Sequence, residues 1–558
     1  MTLFYIMKMN TSKIMENDCK IKTTFKDCKQ CNEIISVGDN QLLGFIRRIK
    51  DKPYNKEEID SLISDRNYLK RQPQSKINSE KIIKIQNEIN EKLFVPDLIT
   101  VKVDTTKKDY KHLCKNGLEI EIEVNGNIYK TKYRRLCAGA GQLRRNSAMF
   151  VNEEIYDQLE LIMMCGLTRK RIGKINLAKF GAYFSLYTSA TNQVTAPNIC
   201  VVKDFEYDLK NQVVDWIYED KDGELDIEKK NIAFTMNAFD GSGMISPRMA
   251  EKWQNDLNLD YTPSSFIIRS AWLKGLVSVF DFHKFAKEVA CKTTITDAWG
   301  KEKDVENIDV ILTTSQFKMW KKYKSWEEYM AYHKRCGQIF GVARVNKKES
   351  NFMTTLNYQY IQSNNFTDET IKKIADPTIN WLQSILNGNP EQVYAYTIGK
   401  HQDKTVEQLE SSLDTPIAKC LLYNQEILKD DYVKKKIQDT VQKKIEQAKI
   451  GKIYVEGSYD FIVPDLYAMA EHAFGMEVKG LLPAKCMYSK RWVDKGSKKV
   501  SMQRSPLVAS AENQVMNVYS DDKCEEWFSH MPFGNILSIW DLTVISMSDK
   551  RKLCPVSW

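Results

Sequence analysis

The middle of the chain reads Pro263-Ser-Ser-Phe-Ile-Ile-Arg-Ser-Ala-Trp-Leu-Lys-Gly-Leu-Val277 and places Lys274 directly before a glycine. The apolar run predicts a strand, and the glycine predicts a turn. The same alternation of short strands and short turns extends from about Asn231 to Trp320. By itself this pattern does not distinguish a functional lysine from a surface lysine beside a turn. It therefore predicts a β-rich block and leaves the role of Lys274 open.

A second β-rich block follows a helical segment, so the sequence predicts an α+β chain. Leu118–Val124 alternates apolar residues with glutamates and ends at Asn125-Gly126, the strongest short signal for a β-hairpin. Residues 352–386 and 405–450 are predicted to be helical; Val433, Ile437, Val441, Ile445 and Ala448 form one apolar stripe, and Gly451 stands where a left-handed cap belongs. From residue 452 onward the pattern is mostly strand again. At roughly 150 residues per domain, the length predicts about three or four units.

Positive charge is concentrated in two places, although the net charge of the whole chain is only +9. Residues 479–504 hold eight basic residues against the single acid Asp494, and residues 130–145 hold six basic residues and no acid. Such blocks favour a polyanion as partner, and a solvated surface explains either block alone equally well. The candidates for nucleic-acid binding are Lys485, Lys490, Arg491, Lys498, Lys499, Arg144 and Arg145.

Several function classes find no support in the sequence. No stretch approaches the ~18 apolar residues of a membrane span, and the apolar run at the amino end is too short for a signal peptide, so we expect a cytoplasmic protein without a membrane partner. The nucleotide motifs GxxxxGK[ST] and GxGxxG at a strand–helix junction are absent. The 13 cysteines are scattered, and Cys28 and Cys31 lack a second CxxC, so we expect free thiols rather than a structural zinc site.

Four segments in a fixed order resemble the two-barrel RNA polymerase superfamily. They are Phe239-Asp-Gly-Ser-Gly-Met-Ile-Ser-Pro247, the stretch 263–277, Asp309-Val-Ile-Leu-Thr-Thr-Ser-Gln-Phe-Lys-Met-Trp320 and Met502-Gln-Arg-Ser-Pro506. The sequence is most similar to the single-chain RNA polymerases of phages and prophages, which are akin to the eukaryotic RNA-silencing polymerases. The resemblance covers roughly residues 101–549.

The resemblance implies two double-psi β-barrels separated by the helical segment. The expected domains are an amino-terminal helical region at 1–95, a β-rich region with a hairpin and a basic loop at 96–230, the first barrel at 231–345, a helical connection at 346–474 and an incomplete second barrel at 475–558.

The resemblance also implies roles for four basic residues. Lys274 and Lys318 correspond to the two lysines of the first barrel, where phosphoryl transfer needs dense positive charge, and Arg269 adds to the same field. Arg504 corresponds to the arginine that faces the ribose of the incoming nucleotide and distinguishes a 2′-hydroxyl from deoxyribose. A surface position for Lys274 and a phosphate contact for Arg504 are the alternatives.

The family's metal-binding Asp-x-Asp-Gly-Asp loop is missing from the sequence. Its three carboxylates hold the Mg²⁺ ions that the resemblance implies for the completed enzyme. The approach to the loop, residues 535–549, resembles the family and leaves Asp549 as the one metal-ligand candidate. Asp220, Asp222 and Asp226 have the wrong last spacing, and we interpret them as a charged hairpin turn. We therefore expect a split or truncated polymerase that is inactive alone, with the aspartates encoded elsewhere or carried by a second polypeptide.

The predicted function is nucleic-acid-templated RNA synthesis from NTPs. The template expected for the phage branch is DNA, in the cytoplasm of a bacterial host. An RNA-templated polymerase of the silencing type is the alternative enzyme. A non-catalytic nucleic-acid-binding protein is the alternative of another class, favoured by the missing aspartates. A basic structural protein with barrel-like folds is the third alternative.

Overall fold

The protein consists of two compact units. The computed structural model describes residues 3–16, 20–30, 33–52, 55–72, 75–104, 106–143, 145–348, 353–362, 364–398, 416–503, 513–531 and 534–540. The first unit comprises Met1–Asp204 and Asp240–Val345, and the second comprises Phe205–Phe239 and Asn346–Trp558. Both units mix helices and strands, which confirms the predicted α+β class. In the described part of the chain, no helix has the length and apolar composition needed to cross a membrane.

The first unit begins with a sheet of seven strands, here called the N-terminal sheet. In spatial order the strands are Lys20–Thr23, Leu118–Val124, Asn127–Cys137, Ser147–Asn152, Phe94–Lys102, Leu3–Asn10 and Ile34–Gly38. The hairpin predicted at Asn125-Gly126 is confirmed, because both residues have a positive φ, 52° and 83°, between two antiparallel strands. The apolar residues of Leu118–Val124 are buried on one face, as their alternation predicts.

Helices, several of them capped, accompany the N-terminal sheet in the first unit. The α-helices are Thr11–Glu16, Phe25–Gln30, Gln41–Ile49, Lys56–Arg71, Lys76–Leu93, Lys107–Asn116, Ala140–Leu143, Glu153–Met164, Arg169–Ile172 and Leu177–Phe184, and Ser185–Thr188 is a 3₁₀-helix. The side chains of Asn40, Asn55 and Ser75 each accept a hydrogen bond from an amide of the first helical turn. Such caps satisfy amides that have no partner inside the helix, and they explain where these helices begin.

A second sheet of seven strands, the central sheet, completes the first unit. Its strands in spatial order are Asn192–Val194, Phe340–Val345, Ser265–Ser270, Leu273–Val279, Ser242–Ile245, Val310–Thr313 and Ile199–Val202. Two neighbouring pairs are parallel and the other four are antiparallel. The associated elements are the α-helices Pro247–Asp256, Phe282–Phe285 and Trp326–Arg335, the π-helix Ala286–Ala290, the 3₁₀-helices Val305–Asn307 and Trp320–Lys322, and the paired strands Thr294–Thr296 and Glu302–Asp304.

The second unit contains a long two-stranded ribbon, a helical segment and a smaller sheet. The ribbon pairs Glu206–Glu219 with Leu225–Asn237. The helical segment comprises Tyr358–Gln362, Asp368–Leu386, Pro390–Thr397, Pro416–Tyr423, the 3₁₀-helix Gln425–Lys429 and Asp431–Lys449, and the strands Met353–Thr355 and Tyr454–Glu456 pair at its base. The predicted stripe on Asp431–Lys449 is confirmed, since Val433 and Val441 are buried and Gly451 has a φ of 83°.

The C-terminal sheet of the second unit has five strands. In spatial order they are Ile462–Pro464, Asn535–Leu537, Cys486–Tyr488, Gln514–Val518 and Lys499–Met502, and the helices are Leu466–Ala473, Lys490–Asp494 and Asp522–Phe528. The buried carboxylate of Asp465 accepts hydrogen bonds from the amides of Tyr467, Ala468, Leu481 and Leu482. Burial raises the pKa of Asp465 to about 6, while the amide bonds favour its charged form.

Two of the expected domain boundaries differ from the structure. The region 1–95 is not only helical, because Leu3–Asn10 is a buried strand that pairs with Phe94–Lys102 across the expected boundary. The expected first-barrel region starts too late, because the central sheet also includes Asn192–Val194 and Ile199–Val202. The reason is the same in both cases. Pairing between strands that are distant in sequence leaves no mark in local periodicity.

Candidate functional site

Three of the four motif segments meet around one buried amide in the central sheet. The side chain of Gln316 is fully buried. Its Oε1 accepts a hydrogen bond from the Thr313 amide at 3.1 Å, and its Nε2 donates to the Leu276 carbonyl at 2.9 Å. Because both ends of the amide are bonded, Gln316 fixes the loop that follows Val310–Thr313 against the strand Leu273–Val279.

The glycines of the other two motifs make room for Gln316. A Cβ on Gly243 would lie 2.5 Å from the Ile311 carbonyl oxygen, and one on Gly275 would overlap the Gln316 side chain. Neither glycine has a positive φ, so the requirement is space rather than backbone conformation. This packing explains a glycine in Asp-Gly-Ser-Gly and a glycine directly after Lys274.

The packing brings the backbones of Lys274 and Lys318 to one short β-bridge. The Lys274 amide donates to the Gln316 carbonyl at 3.1 Å, and the Lys318 amide donates to the Trp272 carbonyl at 2.9 Å. Leu273 pairs with Phe317 at the centre of the bridge, and both are fully buried. Since side chains alternate along extended backbone, Lys274 and Lys318 project away from this buried pair. The structure thus brings the two predicted lysines together.

The turn before Lys274 is held by a buried tryptophan. Trp272 has a φ of 59°, in the left-handed region that disfavours residues with a side chain. This conformation costs roughly 1–2 kcal/mol for an ordinary residue. Trp272 is 1% exposed, and its Nε1 donates to the Met164 carbonyl at 3.3 Å. Burial of the indole therefore holds the strand at the point where Lys274 leaves it.

Arg269 adds a third positive charge to the same face of the sheet. It lies directly opposite Lys274 in the antiparallel register, and side chains of such pairs point to the same side. Burial lowers the pKa of Arg269, its Nη1 donates to the Ile268 carbonyl at 2.8 Å, and its Nε has no hydrogen-bond partner among the described residues. Like charges on opposite residues repel each other, so the pair favours an anion beside it.

A cavity of about 400 Å³ lies beside Lys318. Four lysines line it and no acidic residue does; they are Lys179, Lys318, Lys321 and Lys322. The Lys318 ammonium donates to the Ser315 carbonyl within the same loop. Sequence reasoning missed Lys179, because its helix Leu177–Phe184 is far away in sequence. The adjacent Lys321 and Lys322 were visible as a basic run that continues the motif.

No metal-binding group is present among the residues that the structure describes. No cluster of three Asp, Glu, His or Cys side chains occurs there, so these residues do not fit a Mg²⁺ site. Asp549, Arg504, Arg144 and Cys31 lie outside the described residues, and Cys28 lies in the helix Phe25–Gln30.

The charged turn predicted from Asp220, Asp222 and Asp226 is confirmed. The residues 220–224 join the two ribbon strands of the second unit. The amides of Asp222 and Glu224 both donate to Oδ1 of Asp220 at 2.9 Å. One carboxylate of this run is therefore engaged in holding the turn.

The basic stretch 479–504 presents fewer free charges than its sequence predicts. Lys490 forms an ion pair with Asp494, and Lys495 forms one with Glu456. Arg491 is 7% exposed, lies beside the Trp492 ring and has its pKa lowered by burial. That Lys490 and Arg491 face nucleic acid stays a prediction, and in the structure the first is ion-paired and the second is buried. The exposed candidates with no ion pair in the described part of the chain are Lys485, Lys498 and Lys499.

The block 130–145 is also partly neutralised. Lys132 pairs with Glu153 at 3.1 Å, and Arg134 pairs with Asp157 at 3.3 Å. Both acids lie on the helix Glu153–Met164, which a local reading of the charge could not place beside the strand. Arg145 is exposed and remains a candidate.

The comparisons with known proteins agree with these motifs. The family model described as RNA dependent RNA polymerase matches residues 77–524. The chain belongs to this polymerase family. It is 30% identical over 408 residues to the DNA-directed RNA polymerase YonO of Bacillus phage SPbeta, a match that covers 71% of this chain and 45% of the relative. The chain thus spans less than half the length of this curated relative.

Among solved structures, the RNA dependent RNA polymerase QDE-1 from Thielavia terrestris is similar to this chain, with a TM-score of 0.40 and 12% sequence identity. The match covers 81% of this chain and 50% of that chain. RNA polymerases of this family generally use Mg²⁺.

Proposed function

We propose that this polymerase-family chain supplies the phosphate-binding part of a nucleic-acid-templated RNA polymerase. The observation that supports it most directly is the shared face of Arg269 and Lys274, with Lys318 across one bridge. Three cations held by buried anchors are pre-organised for an anion, which lowers the reorganisation needed when charge develops on it.

In the proposed reaction, the 3′-hydroxyl oxygen of the RNA attacks the α-phosphorus of an NTP. A new phosphodiester bond forms, the bond from the α-phosphorus to the bridging oxygen breaks, the hydroxyl proton is released to water, and pyrophosphate leaves with its negative charge. Lys274 and Lys318 stabilise the charge on the phosphoryl oxygens, and Arg269 strengthens the positive field beside them. The four-lysine cavity binds further phosphate groups of the nucleotide or the strand.

The carboxylates of the reaction come, in this proposal, from sequence that these 558 residues do not contain. The Asp-x-Asp-Gly-Asp loop is missing from the sequence, and the match leaves more than half of the curated relative uncovered. Whether a second polypeptide or a continuous chain carries them is an outcome of the test below.

DNA is the proposed template, in the cytoplasm of a bacterial host. The support is the 30% identity to a phage relative described as DNA-directed. RNA is the second candidate template, because the matching family model is described as RNA dependent. A non-catalytic nucleic-acid-binding protein is the further candidate, favoured by the missing aspartates.

The experiment measures incorporation of labelled NTPs on single-stranded DNA and on single-stranded RNA. The purified chain is assayed alone, with a separate polypeptide carrying the aspartate loop, and with the same segment fused to it. We expect RNA synthesis on DNA in the presence of the segment and none by residues 1–558 alone. Synthesis on RNA alone would make RNA the template.

Two outcomes would contradict the proposal. Synthesis by the purified chain without any added segment would show that its own carboxylates suffice. Nucleic-acid binding without synthesis under every condition would favour the non-catalytic alternative. Replacing the aspartates of the added segment by asparagine is the control for activity from a contaminating polymerase.

A further inference from the structure

A cavity of about 520 Å³ lies entirely within the second unit. Its walls come from the paired strands Met353–Thr355 and Tyr454–Glu456 and from the strand Lys499–Met502 of the C-terminal sheet. This volume lies within the roughly 300–1,000 Å³ of pockets that bind small organic ligands. None of the candidate residues of the central sheet contributes to it.

Two residues with side-chain amides line this cavity, and the oxygen of each amide has no partner among the described residues. Oε1 of Gln503 and Oδ1 of Asn535 are buried and have no hydrogen-bond partner among the described residues. A buried acceptor without a partner costs about 1–3 kcal/mol, so such atoms are expected to meet a donor from a ligand or from water. An amide offers a donor beside its acceptor, and this pairing matches the edge of a nucleobase.

Aromatic rings line the same cavity as the amides. Trp492 is 8% exposed and lies on the wall together with Tyr360 and Tyr459. Unpaired bases stack on aromatic side chains, and each stacked base contributes about 1–3 kcal/mol to binding of a single strand. Amide edges beside aromatic faces are the combination that recognises a base extruded from a strand.

The charges around the cavity favour a base over a phosphate group as its occupant. Glu456 and Asp460 lie on the wall, Glu456 in an ion pair with Lys495 and Asp460 accepting from the Ser458 hydroxyl. Carboxylates repel phosphate and accept hydrogen bonds from exocyclic amino groups. The exposed Lys499 also lines the cavity and offers a phosphate contact near the base.

We propose that this cavity binds one unstacked nucleobase, read by the amides of Gln503 and Asn535 and stacked on the rings beside them. The base comes from a single strand or from a free nucleotide, and the two sources share the same base chemistry. The proposal extends the polymerase function by a base-binding site, and its test needs no RNA synthesis. If the polymerase function is refuted, the base-binding site is unaffected, and the reverse also holds.

The experiment uses the whole 558-residue chain and single-stranded 12-mers that are abasic throughout or carry one 2-aminopurine at the central position of an otherwise abasic strand. Affinity is measured by anisotropy, and stacking is measured by quenching of the 2-aminopurine. We expect Gln503→Leu and Asn535→Leu each to weaken binding of the base-containing strand about tenfold. Binding of the abasic strand should change less than twofold, because it has no base to lose.

The matched control is Lys498→Gln, which removes an exposed charge directly before the strand Lys499–Met502 at a residue that does not line the cavity. It should lower the affinity for both strands equally and reduce the salt slope by about 0.7. Competition by adenosine or AMP separates the two sources. If adenosine or AMP competes fully at concentrations near those of the strand, the cavity binds a free nucleotide. If the competition is weak, the cavity binds a base that is part of a strand.

The proposal is overturned when both leucine variants bind the base-containing strand with parental affinity and quenching. Thermal unfolding of each variant is measured alongside. Because leucine leaves no buried acceptor, a folded variant of parental stability with lost base quenching supports a binding role. When either variant does not fold, Tyr360→Leu and the quenching of the parent protein decide the question, and absence of base-dependent quenching in the parent rejects the proposal.

Discussion

The cations of the central sheet and those of residues 479–504 differ in what surrounds them. In the central sheet, Lys274 and Lys318 extend from a bridge whose other residues are buried, and Gln316 fixes both sides of it. In the basic stretch, Lys490 and Lys495 form ion pairs. The density of positive charge along the sequence is higher in residues 479–504, but the lysines of the central sheet are positioned more firmly by their buried neighbours. The neighbours in space, not the count along the chain, decide which lysines can hold phosphate.

The difference concerns function more than stability. Exposed ion pairs such as Lys490–Asp494 contribute only about 0–1 kcal/mol to folding. They neutralise a charge that would otherwise attract nucleic acid. The bonded Gln316, by contrast, restricts the loop carrying Lys318, so its loss would disturb both the fold and the site.

The largest effect is expected for Lys274→Ala in the polymerase completed with the aspartate segment. A removed contact to transition-state charge typically costs about 3 kcal/mol, or roughly a hundredfold in rate. Single-turnover extension with matched NTPs measures the rate, and anisotropy measures template binding, which should change little. Lys498→Gln is the control from the basic stretch. Extension by Lys274→Ala at the parental rate would make Lys274 an ordinary surface lysine.

The second prediction tests whether packing around Gln316 organises the central sheet. Gly243→Ala places a Cβ 2.5 Å from the Ile311 carbonyl oxygen, which cannot move without shifting the strand Val310–Thr313. We expect a loss of about 3 kcal/mol in the free energy of unfolding of the first unit, near the upper range for overpacking. Hydrogen exchange of the amides in the strands Ser242–Ile245 and Val310–Thr313 measures this loss locally.

Gly44→Ala is the matched control for this clash. Gly44 lies inside the helix Gln41–Ile49, no atom lies within 4 Å of its added Cβ, and its φ is not positive. The substitution Gly44→Ala should increase the free energy of unfolding by about 0.5–1 kcal/mol, because alanine restricts the unfolded chain more than glycine does. Equal effects of Gly243→Ala and Gly44→Ala would show that space at Gly243 is unimportant.

The sequence predicts the parts of this structure that local chemistry determines. The hairpin at Asn125-Gly126 and the helix Asp431–Lys449 follow from turn residues and periodicity within short windows. The motif segments around Lys274 and Lys318 were also visible, since each motif is contiguous in sequence.

The remaining features depend on contacts between distant residues. Lys179 reaches the lysine-lined cavity from a separate helix, and Glu456 reaches Lys495 from another strand. Gln503 and Asn535 line one cavity from two strand ends. Gln503 lies in the motif that was singled out for Arg504, and residue 535 begins the segment 535–549, but no periodic signal indicated that the two amides line one cavity.

The third prediction concerns a buried histidine of the helix Trp326–Arg335 that contacts a strand of the central sheet. His333 is 4% exposed, and its Nε2 lies 2.8 Å from Oγ of Ser270, whose hydroxyl donates to the Ile339 carbonyl. Burial lowers the pKa of His333 to about 4. The unfolded chain, with a pKa of about 6.5, binds a proton that the folded chain excludes, so stability is present above pH 6.5 and falls as the pH drops towards 4.

From these values, acidification from pH 7 to pH 5 should cost about 2 kcal/mol. Hydrogen exchange in the strand Ser265–Ser270, corrected for intrinsic rates, measures the loss. His333→Gln keeps a donor for Ser270 and removes the titration, so its pH dependence should be smaller by that amount. The same pH dependence in both proteins would assign the effect to other groups.

The smallest effect is expected within the basic stretch itself, where the structure separates paired from exposed charges. Each phosphate neutralised on a single strand contributes about 0.7 to the salt slope of binding. Exchanging the exposed Lys485, Lys498 and Lys499 for Gln should therefore reduce the slope by about 2. Exchanging Lys490 for Gln should change the salt slope by only a few tenths, because the charge of Lys490 is paired with Asp494. Titration of a 12-mer at several salt concentrations measures both slopes. An equal reduction per lysine in the two variants would show that the ion pair opens on binding, and the charge count of the sequence would then be the better guide.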